Sequence, residues 1–362
     1  MIHAVIMAGG AGTRFWPESR ADFPKQLITI AGNRSMIQAT CDRLEGLVSF
    51  EQILIVTGER LVEKIAEQLP ELSRTSIIGE PCRRDTAPCI GLAALLCSRT
   101  DPDATMVVMP ADHVIKQTAA FGQAVAQAAA LVDAMPGRIV TFGIRPTYPA
   151  ETFGYIERDE PLEQSEQTDD LCAYRVKQFR EKPKADVAQS YLDAGTFYWN
   201  SGIFVWKAAT ILEELAEREP EMLGHLRTIT EHWESEDFED VFRQEFSAID
   251  GVSIDYAVME HATDIVVLEA PFDWDDVGNW TALSRLRGED EEGNTIDARH
   301  LGLNTTGSIV RGRGDHLLVT LGLSDCIVVH TPDATLVANR NDEESIRKLV
   351  QLIEEKGWTE HL

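Results

Sequence analysis

The sequence predicts an α/β protein: a mostly parallel mixed sheet with helices on both faces, then a small β unit closed by a terminal helix. Three observations carry this. Apolar runs of strand length alternate with stretches of helical spacing through the first half. From Gly288 the pattern changes to short β runs broken by Gly, Asp and Pro turns, with no helix between them. The chain has 362 residues, 44% of them hydrophobic, which exceeds one ordinary domain and suits a sizeable core. Residues 1–287 are expected to form a large domain and 288–362 a small one.

The elements follow in order. His3–Ala8, Gln52–Thr57, Ser76–Gly79, Thr105–Pro110 and Ile139–Ile144 are strand-length apolar runs. Between them "SMIQATCDRLEGLV", "ERLVEKIAEQL", "TAPCIGLAALLCSR" and "FGQAVAQAAALVDAM" repeat apolar residues at helical spacing. Glu157–Asp170 is acidic and reads as a solvated hairpin or loop. "AYRVKQFREKP" and "NSGIFVWKA" are strand candidates flanking a helix near Asp186–Ala194. Helical, charge-rich sequence runs from Ala208 to Phe246 before "DIVVLEA" returns to strand. "GEDEEGN" is a linker, and the last segment carries an apolar stripe at Ile346, Leu349, Val350 and Ile353. No repeat stands out, although the β tail has room for a few degenerate coils.

The net charge of −27 argues against a nucleic-acid or anionic-membrane surface. "MIHAVIMAGG" lacks a basic start and reads as a buried first strand rather than a signal peptide. No apolar stretch is long enough to cross a bilayer. Six scattered cysteines without C-x-x-C spacing suit structural thiols in a reducing compartment, so a cytoplasmic protein is expected.

Against that acidity, "MAGGAGTRFWPESRADFPKQL" gathers glycine and positive charge directly after the first strand. In open α/β sheets, ligands bind beyond the carboxyl ends of the strands. Gly9, Gly10 and Gly12 let backbone N–H groups approach a phosphate, and Arg14 and Lys25 can supply charge to it. The dinucleotide fingerprint fails because Phe15 stands where its last glycine belongs, and the Walker pattern fails too. A glycine-rich turn with solvated basic residues is the simpler alternative.

Asp112 ends a buried strand in "VVMPADHVI", and "FDWDDVGNW" carries Asp273, Asp275 and Asp276 after another. Carboxylates from two strand ends can share Mg2+, which prefers oxygen ligands and bridges substrate phosphates. The same spacing also suits a helix N-cap at Asp112, and a cap at Asp275–Asp276 on a helix beginning near Val277. Glu181 and Lys182 in "FREKP" point to opposite faces of an extended chain, so both meet one ligand only if the strand breaks there. A surface ion pair fits them equally. The Asn200-Ser201-Gly202 corner either offers an amide to a sugar hydroxyl or simply turns the chain.

"GGAGTRFWPESRADFPKQ", "EPCRRDTAPCI", "MPADHVI", "FREKP", "YWNSGIF" and "FDWDDVGNW" occur in the order found in sugar-1-phosphate nucleotidylyltransferases, which this chain resembles over nearly its whole length. The loop and the R-x-TAP segment are similar to those of members that use GTP and mannose 1-phosphate. The resemblance implies a Rossmann-like nucleotide-diphospho-sugar transferase fold with a short left-handed β-helix at the C-terminus. It also implies the reaction GTP + mannose 1-phosphate → GDP-mannose + pyrophosphate. By resemblance, Ala8, Gly9, Gly10, Gly12, Thr13 and Arg14 hold the nucleotide phosphates, and Lys25 bridges the reacting groups. Glu80, Pro81, Arg84, Asp85 and Thr86 line the guanosine, with Asp112 also on the nucleotide. Asp112 and Asp276 bind Mg2+. Gly154 lies along the sugar, Glu181 and Asn200 meet its hydroxyls, and Lys182 meets its phosphate. The family commonly has Asn at Asp85, and a smaller or neutral residue at Asp275, which favours Asp276 as the ligand. A homodimer through the β unit is implied as well. Three rival readings are the same reaction on another substrate, a glycosyltransferase using the Asp273–Asp275 pair, and a noncatalytic nucleotide-binding relative.

Overall fold

The computed structural model describes residues 1–10, 12–162 and 172–362, so most of the acidic segment expected to be a loop lies outside the described residues. The chain forms two compact units. One comprises Met1–Ala8, Cys41–Pro110 and Ile115–Trp274; the other comprises Gly9–Thr40, Ala111–Val114 and Asp275–Leu362. These units are not coextensive with the segments 1–287 and 288–362, because the glycine loop is grouped with the C-terminal tail.

The first unit is built on nine strands: β1 (Ile2–Met7), β2 (Ile53–Gly58), β3 (Ile77–Glu80), β4 (Thr105–Pro110), β5 (Ile139–Ile144), β6 (Tyr155–Pro161), β7 (Ala173–Arg180), β8 (Phe197–Lys207) and β9 (Ile265–Glu269). Among the described residues their order is β3-β2-β1-β4-β8-β5-β9-β7-β6. The first four strands are parallel, as strand–helix alternation requires. β8 enters antiparallel between β4 and β5, and β7 pairs antiparallel with β9 and β6.

Helices α1 (Met36–Asp42), α2 (Val62–Gln68), α3 (Thr86–Thr100), α4 (Thr118–Ala134), α5 (Ala185–Ala194), α6 (Ala208–Arg218), α7 (Pro220–Glu231) and α8 (Phe238–Ala248) connect the strands. α3 is apolar on most sides, and its Ala87, Ile90, Leu92, Ala93 and Ala94 are fully buried. It packs with the amphipathic α6–α8 through Leu215, Leu226, Ile229 and Phe246. Removing this apolar surface from water is the main stabilising term.

The second unit carries α9 (Ala282–Arg287), β10 (Thr295–Asp297), β11 (Arg299–Leu303), β12 (Ile309–Gly312), β13 (Leu317–Leu321), β14 (Cys326–His330), β15 (Thr335–Asn339) and α10 (Ile346–Glu355). Arg299 pairs with Leu317, Thr306 with Ser324 and Ile309 with Ile327, each 18 residues apart and parallel. This is a β-helical coil with three short sides. Its corners repeat as well: Asn304 and Gly322 have positive φ, as do Gly307 and Asp325. A Cβ on Gly307 would lie 2.6 Å from Asp325 Oδ1, so glycine is needed at that corner.

The loop after β1 folds onto this coil. Phe15, Ile28, Ile30 and Met36 share a core with Trp280, Ile309, Ile327, Val329 and Ile346. Glu18, buried within "PESR", receives Arg311 Nε and Nη2 at 2.8 and 2.9 Å, and Arg313 as well. Burial pushes the Glu18 carboxyl up, and the two guanidinium groups more than reverse that. Trp16 donates to the His361 carbonyl, and Arg20 pairs with Asp333. Much of the charge in the opening stretch therefore holds the unit together.

Candidate active site

Gly10 and Gly12 adopt positive φ, at 97° and 57°. Gly9 and Gly10 face open space, whereas a Cβ on Gly12 would lie 2.5 Å from Lys25 Cβ and 2.7 Å from Lys25 N. Glycine at position 12 is what lets Lys25 pack against the loop. Ala8 directly follows β1, fully buried, with its carbonyl accepting from Thr57 Oγ1. Thr13 opens a short 3-10 turn ending at Phe15, with Arg14 between them.

Both basic residues of the loop reach the same acidic turn. Lys25 is 7% exposed, and its Nζ donates to Asp112 Oδ2 at 2.8 Å and to the Asp276 carbonyl at 2.6 Å. Arg14 Nη1 donates to the Gly278 carbonyl at 2.9 Å. Val114 and Asp275 exchange both backbone hydrogen bonds, which fixes Asp112 relative to the turn. Asp275 Oδ1 accepts from Val277 N at 2.7 Å, and the Arg285 guanidinium forks onto both Asp275 oxygens. Val277 is fully buried with φ of 49°, a strained value for a β-branched residue.

The two acids of the turn differ in their surroundings. Asp275 is held by the Val277 N–H and by Arg285, whereas the hydrogen bond that Asp276 accepts from Lys25 is to its backbone carbonyl. Neither cap reading is realised: the helix after Asp112 starts at Thr118 behind Gln117, and the helix after Asp276 starts at Ala282. Burial raises the Asp112 pKa, but the Lys25 charge and hydrogen bond, with His113, lower it below the usual range. Asp276 is raised, by burial first, with Asp275 and Asp112 opposing its charge and Lys25 and Arg285 favouring it. Two like-charged carboxylates, one of them destabilised as an anion, are a donor set that a hard divalent cation fits. Among the described residues there is no cluster of three or more His, Cys, Asp or Glu for a metal. Two carboxylates suit Mg2+, which completes its shell with phosphates and water.

A second group lies in the first unit. Glu80 ends β3, followed by Pro81, and burial raises its carboxyl to about 8. Asp85 has φ of 66° and caps α3 by accepting from Thr86 N at 2.8 Å. With ψ of −163° this is a sparsely populated conformation for any residue with a side chain; Asn caps helices as Asp does, so the capping bond does not distinguish the two. Arg84 donates to the Ser247 carbonyl, and Thr86 Oγ1 accepts from Ile254 N at 2.8 Å. The segment is thus stapled to residues 247–254.

A third group, also in the first unit, surrounds Gly154. A Cβ there would lie 2.6 Å from Glu181 Oε2 and 3.8 Å from Asn200 Nδ2. Asn200 N donates to the Gly154 carbonyl at 2.8 Å. β7 ends at Arg180, and Lys182 takes φ of 44°, so the strand does break where both side chains need it to. Lys182 Nζ pairs with Glu181 Oε1 at 2.7 Å while remaining 61% exposed. Asp255, which sequence reasoning missed, joins this group: its Oδ1 accepts from Asn200 Nδ2 at 3.0 Å. The available signal was an acid set among buried apolar residues, Ile254, Ala257 and Val258.

The nucleotidyl transferase family model matches residues 3–293, and a mannose-P isomerase/GMP-like β-helix domain model matches residues 298–353. The chain is 40% identical over its full length to a mannose-1-phosphate guanylyltransferase of Salmonella montevideo, covering 76% of that protein. It is 39% identical to one from Escherichia coli K12, over 99% of this chain and 75% of that one. A crystal structure from Thermus thermophilus, described as mannose-1-phosphate geranyltransferase, superposes with a TM-score of 0.84 at 31% identity, covering 98% of this chain and 99% of the other.

Proposed function

The chain belongs to the nucleotidyl transferase family, and from that premise we propose how it performs the reaction for which its guanylyltransferase relatives are named. It transfers GMP from GTP to mannose 1-phosphate, giving GDP-mannose and pyrophosphate. The observation that carries the site reading is Lys25, buried and shared between Asp112 and the Asp276 carbonyl. An ammonium fixed there joins the glycine loop to the Asp112 carboxylate and to the backbone of the Asp276 turn, and so supplies positive charge between the two groups of anions that nucleotidyl transfer brings together.

In this reading Gly9, Gly10, Gly12, Thr13 and Arg14 take the triphosphate of GTP, and the segment from Glu80 to Thr86 takes the guanosine. The Gly154 group takes mannose, with Lys182 on its phosphate. The sugar phosphate oxygen attacks the α-phosphorus in line, forming the new P–O bond as the bond to pyrophosphate breaks. That oxygen is already ionised near neutral pH, so no Ser, Cys or His nucleophile is needed. Lys25 and Arg14 offset the charge of the triphosphate, and Lys182 that of the sugar phosphate, which lowers the repulsion between the two anions. Asp112 and Asp276 would hold Mg2+, which supplies further charge neutralisation on the triphosphate.

The glycosyltransferase reading loses its acids: Asp273 accepts from Lys116 N and Gln117 N, and Asp275 is held by Arg285. The four groups that a noncatalytic relative would lack, Lys25, Lys182, Asp112 and Asp276, are all present. The test is pyrophosphate release from each of the four NTPs with mannose 1-phosphate and glucose 1-phosphate. Guanosine triphosphate with mannose 1-phosphate should give the highest kcat/KM, and a preference for another pair would overturn the assignment.

The functional division keeps the proposed catalytic residues within 1–287 and gives 288–362 a role in assembly. Leu301, Leu303, Leu317, Val319 and Leu321 stand together on one exposed face, Leu301 opposite Val319 and Leu303 opposite Leu321. A contiguous exposed apolar face of this kind suits an interface, which supports a homodimer. Leu303→Asp with Leu321→Asp should then halve the mass in solution. No helix of the described residues is long and apolar enough to cross a membrane. Six cysteines without a disulfide among the described residues support a cytoplasmic location, and the charge of −27 speaks against nucleic-acid partners.

A further inference from the structure

Asp255 begins a single π turn, Asp255–Met259, beside the Gly154 group. Such turns often re-aim a side chain at a functional site. The Asp255 side chain is half-buried, with Oδ1 fixed by Asn200 Nδ2 at 3.0 Å. Asn200 is itself fixed: its Oδ1 accepts from Gly202 N at 3.1 Å, and its backbone N donates to the Gly154 carbonyl. The space beside the Gly154 Cα is bounded by Glu181 Oε2 and Asn200 Nδ2 and would be filled by any side chain at 154. Glu181 and Lys182 both act electrostatically on Asp255, the first opposing its ionised form and the second favouring it.

Burying a second carboxylate near Glu181 is costly unless it serves a purpose, since like charges and desolvation oppose it together. Ionised carboxylates accept and never donate, so a pair of them suits a ligand rich in O–H donors. We propose that Asp255 is a sugar-recognition residue: its carboxylate accepts a hydrogen bond from a ring hydroxyl of the hexose 1-phosphate, and Asn200 positions it. This assignment rests on the reading of the Gly154 group as the sugar half of the site. It gives Asn200 a second task, since one of its amide N–H groups is already spent on Asp255.

The test pairs Asp255→Ala and Asp255→Asn with mannose 1-phosphate and its monodeoxy analogues, measuring KM for sugar and for GTP separately. A lost hydrogen bond to a charged acceptor should raise the sugar KM by roughly 10- to 100-fold while GTP KM stays within about 2-fold. One deoxy analogue, poor with the unaltered enzyme, should lose no further affinity in Asp255→Ala. A merely structural role would not produce that analogue-specific loss of discrimination. Glu181→Gln and Lys182→Ala serve as controls on the underlying reading. If they raise the sugar KM and the Asp255 variants leave it and the analogue pattern unchanged, the Asp255 assignment is overturned. If all four variants leave the sugar KM unchanged, the sugar reading of the whole group fails, and the proposal with it.

Discussion

Replacing Lys25 by Met removes one charge and keeps the apolar stem that packs against Gly12. The ammonium makes two hydrogen bonds, to Asp112 Oδ2 at 2.8 Å and the Asp276 carbonyl at 2.6 Å, and lies 5.9 Å over the Phe15 ring. Two charge-assisted bonds are worth roughly 3–6 kcal/mol gross. Asp112 is 33% exposed, so water recovers part of that loss and the net destabilisation falls to about 2–3 kcal/mol. Thermal unfolding of a 362-residue chain should therefore shift down by roughly 3–4 °C. The Asp112 pKa, now held low mainly by Lys25 against burial, should rise. With its folded pKa lowered, Asp112 contributes stability that is present above its unfolded pKa and lost as pH falls through the folded value. In the variant that contribution should vanish, and the variant should lose less on acidification than the parent. Turnover, measured as pyrophosphate release, should fall by about 100- to 1,000-fold with the fixed charge gone. A variant that melts within about 1 °C of the parent, and turns over within about 3-fold, would refute both the structural and the catalytic reading of Lys25.

Three further outcomes follow from other parts of the molecule. Gly12→Ala combines a φ of 57° with a Cβ 2.5 Å from Lys25 Cβ, so it should cost at least about 1–3 kcal/mol and weaken GTP binding, checked by calorimetry and titration. Arg285→Ala frees Asp275 and loosens the Asp276 turn, and should weaken Mn2+ binding by roughly 10-fold in a direct titration while leaving the sugar KM near its parent value. Glu80, raised to about 8 by burial, binds its proton more tightly when folded. Its contribution is present below its unfolded pKa and lost as pH rises through the folded value. Glu80→Gln should flatten the decline in melting temperature between roughly pH 5 and pH 8; an unchanged decline would assign that slope to other groups.

The strands and helices of the first unit were legible because burial on both faces produces continuous apolar runs, as in Thr105–Pro110, and amphipathic stripes between them. What periodicity does not convey is strand order: β8 enters antiparallel between β4 and β5 through long-range pairing that leaves no local trace. The glycine loop reads in sequence as a candidate anion site with basic residues around it, yet Glu18, Trp16 and Arg20 turn out to be anchors to the coil and C-terminus. Their partners, Arg311, His361 and Asp333, are too distant in sequence for spacing arguments to reach. Asp255 was missed for a related reason: its meaning comes from Asn200 and Glu181, which only folding brings beside it. The coil repeat was hidden by chemistry rather than distance. Asn304 corresponds to Gly322 and Gly307 to Asp325, because Asn, Asp and Gly are the residues that most readily accept the left-handed corner.

That 18-residue coil has a consequence for how such a tail changes in length. Each coil contacts its neighbours through in-register pairs, so the structure is modular along its axis. Insertion of one full coil keeps every corner, every inward side chain and both sheets in register. Insertion of a single residue moves each inward side chain of the following strand to the outer face. The tail is thus free to grow or shrink in whole turns of 18 residues and intolerant of any other increment.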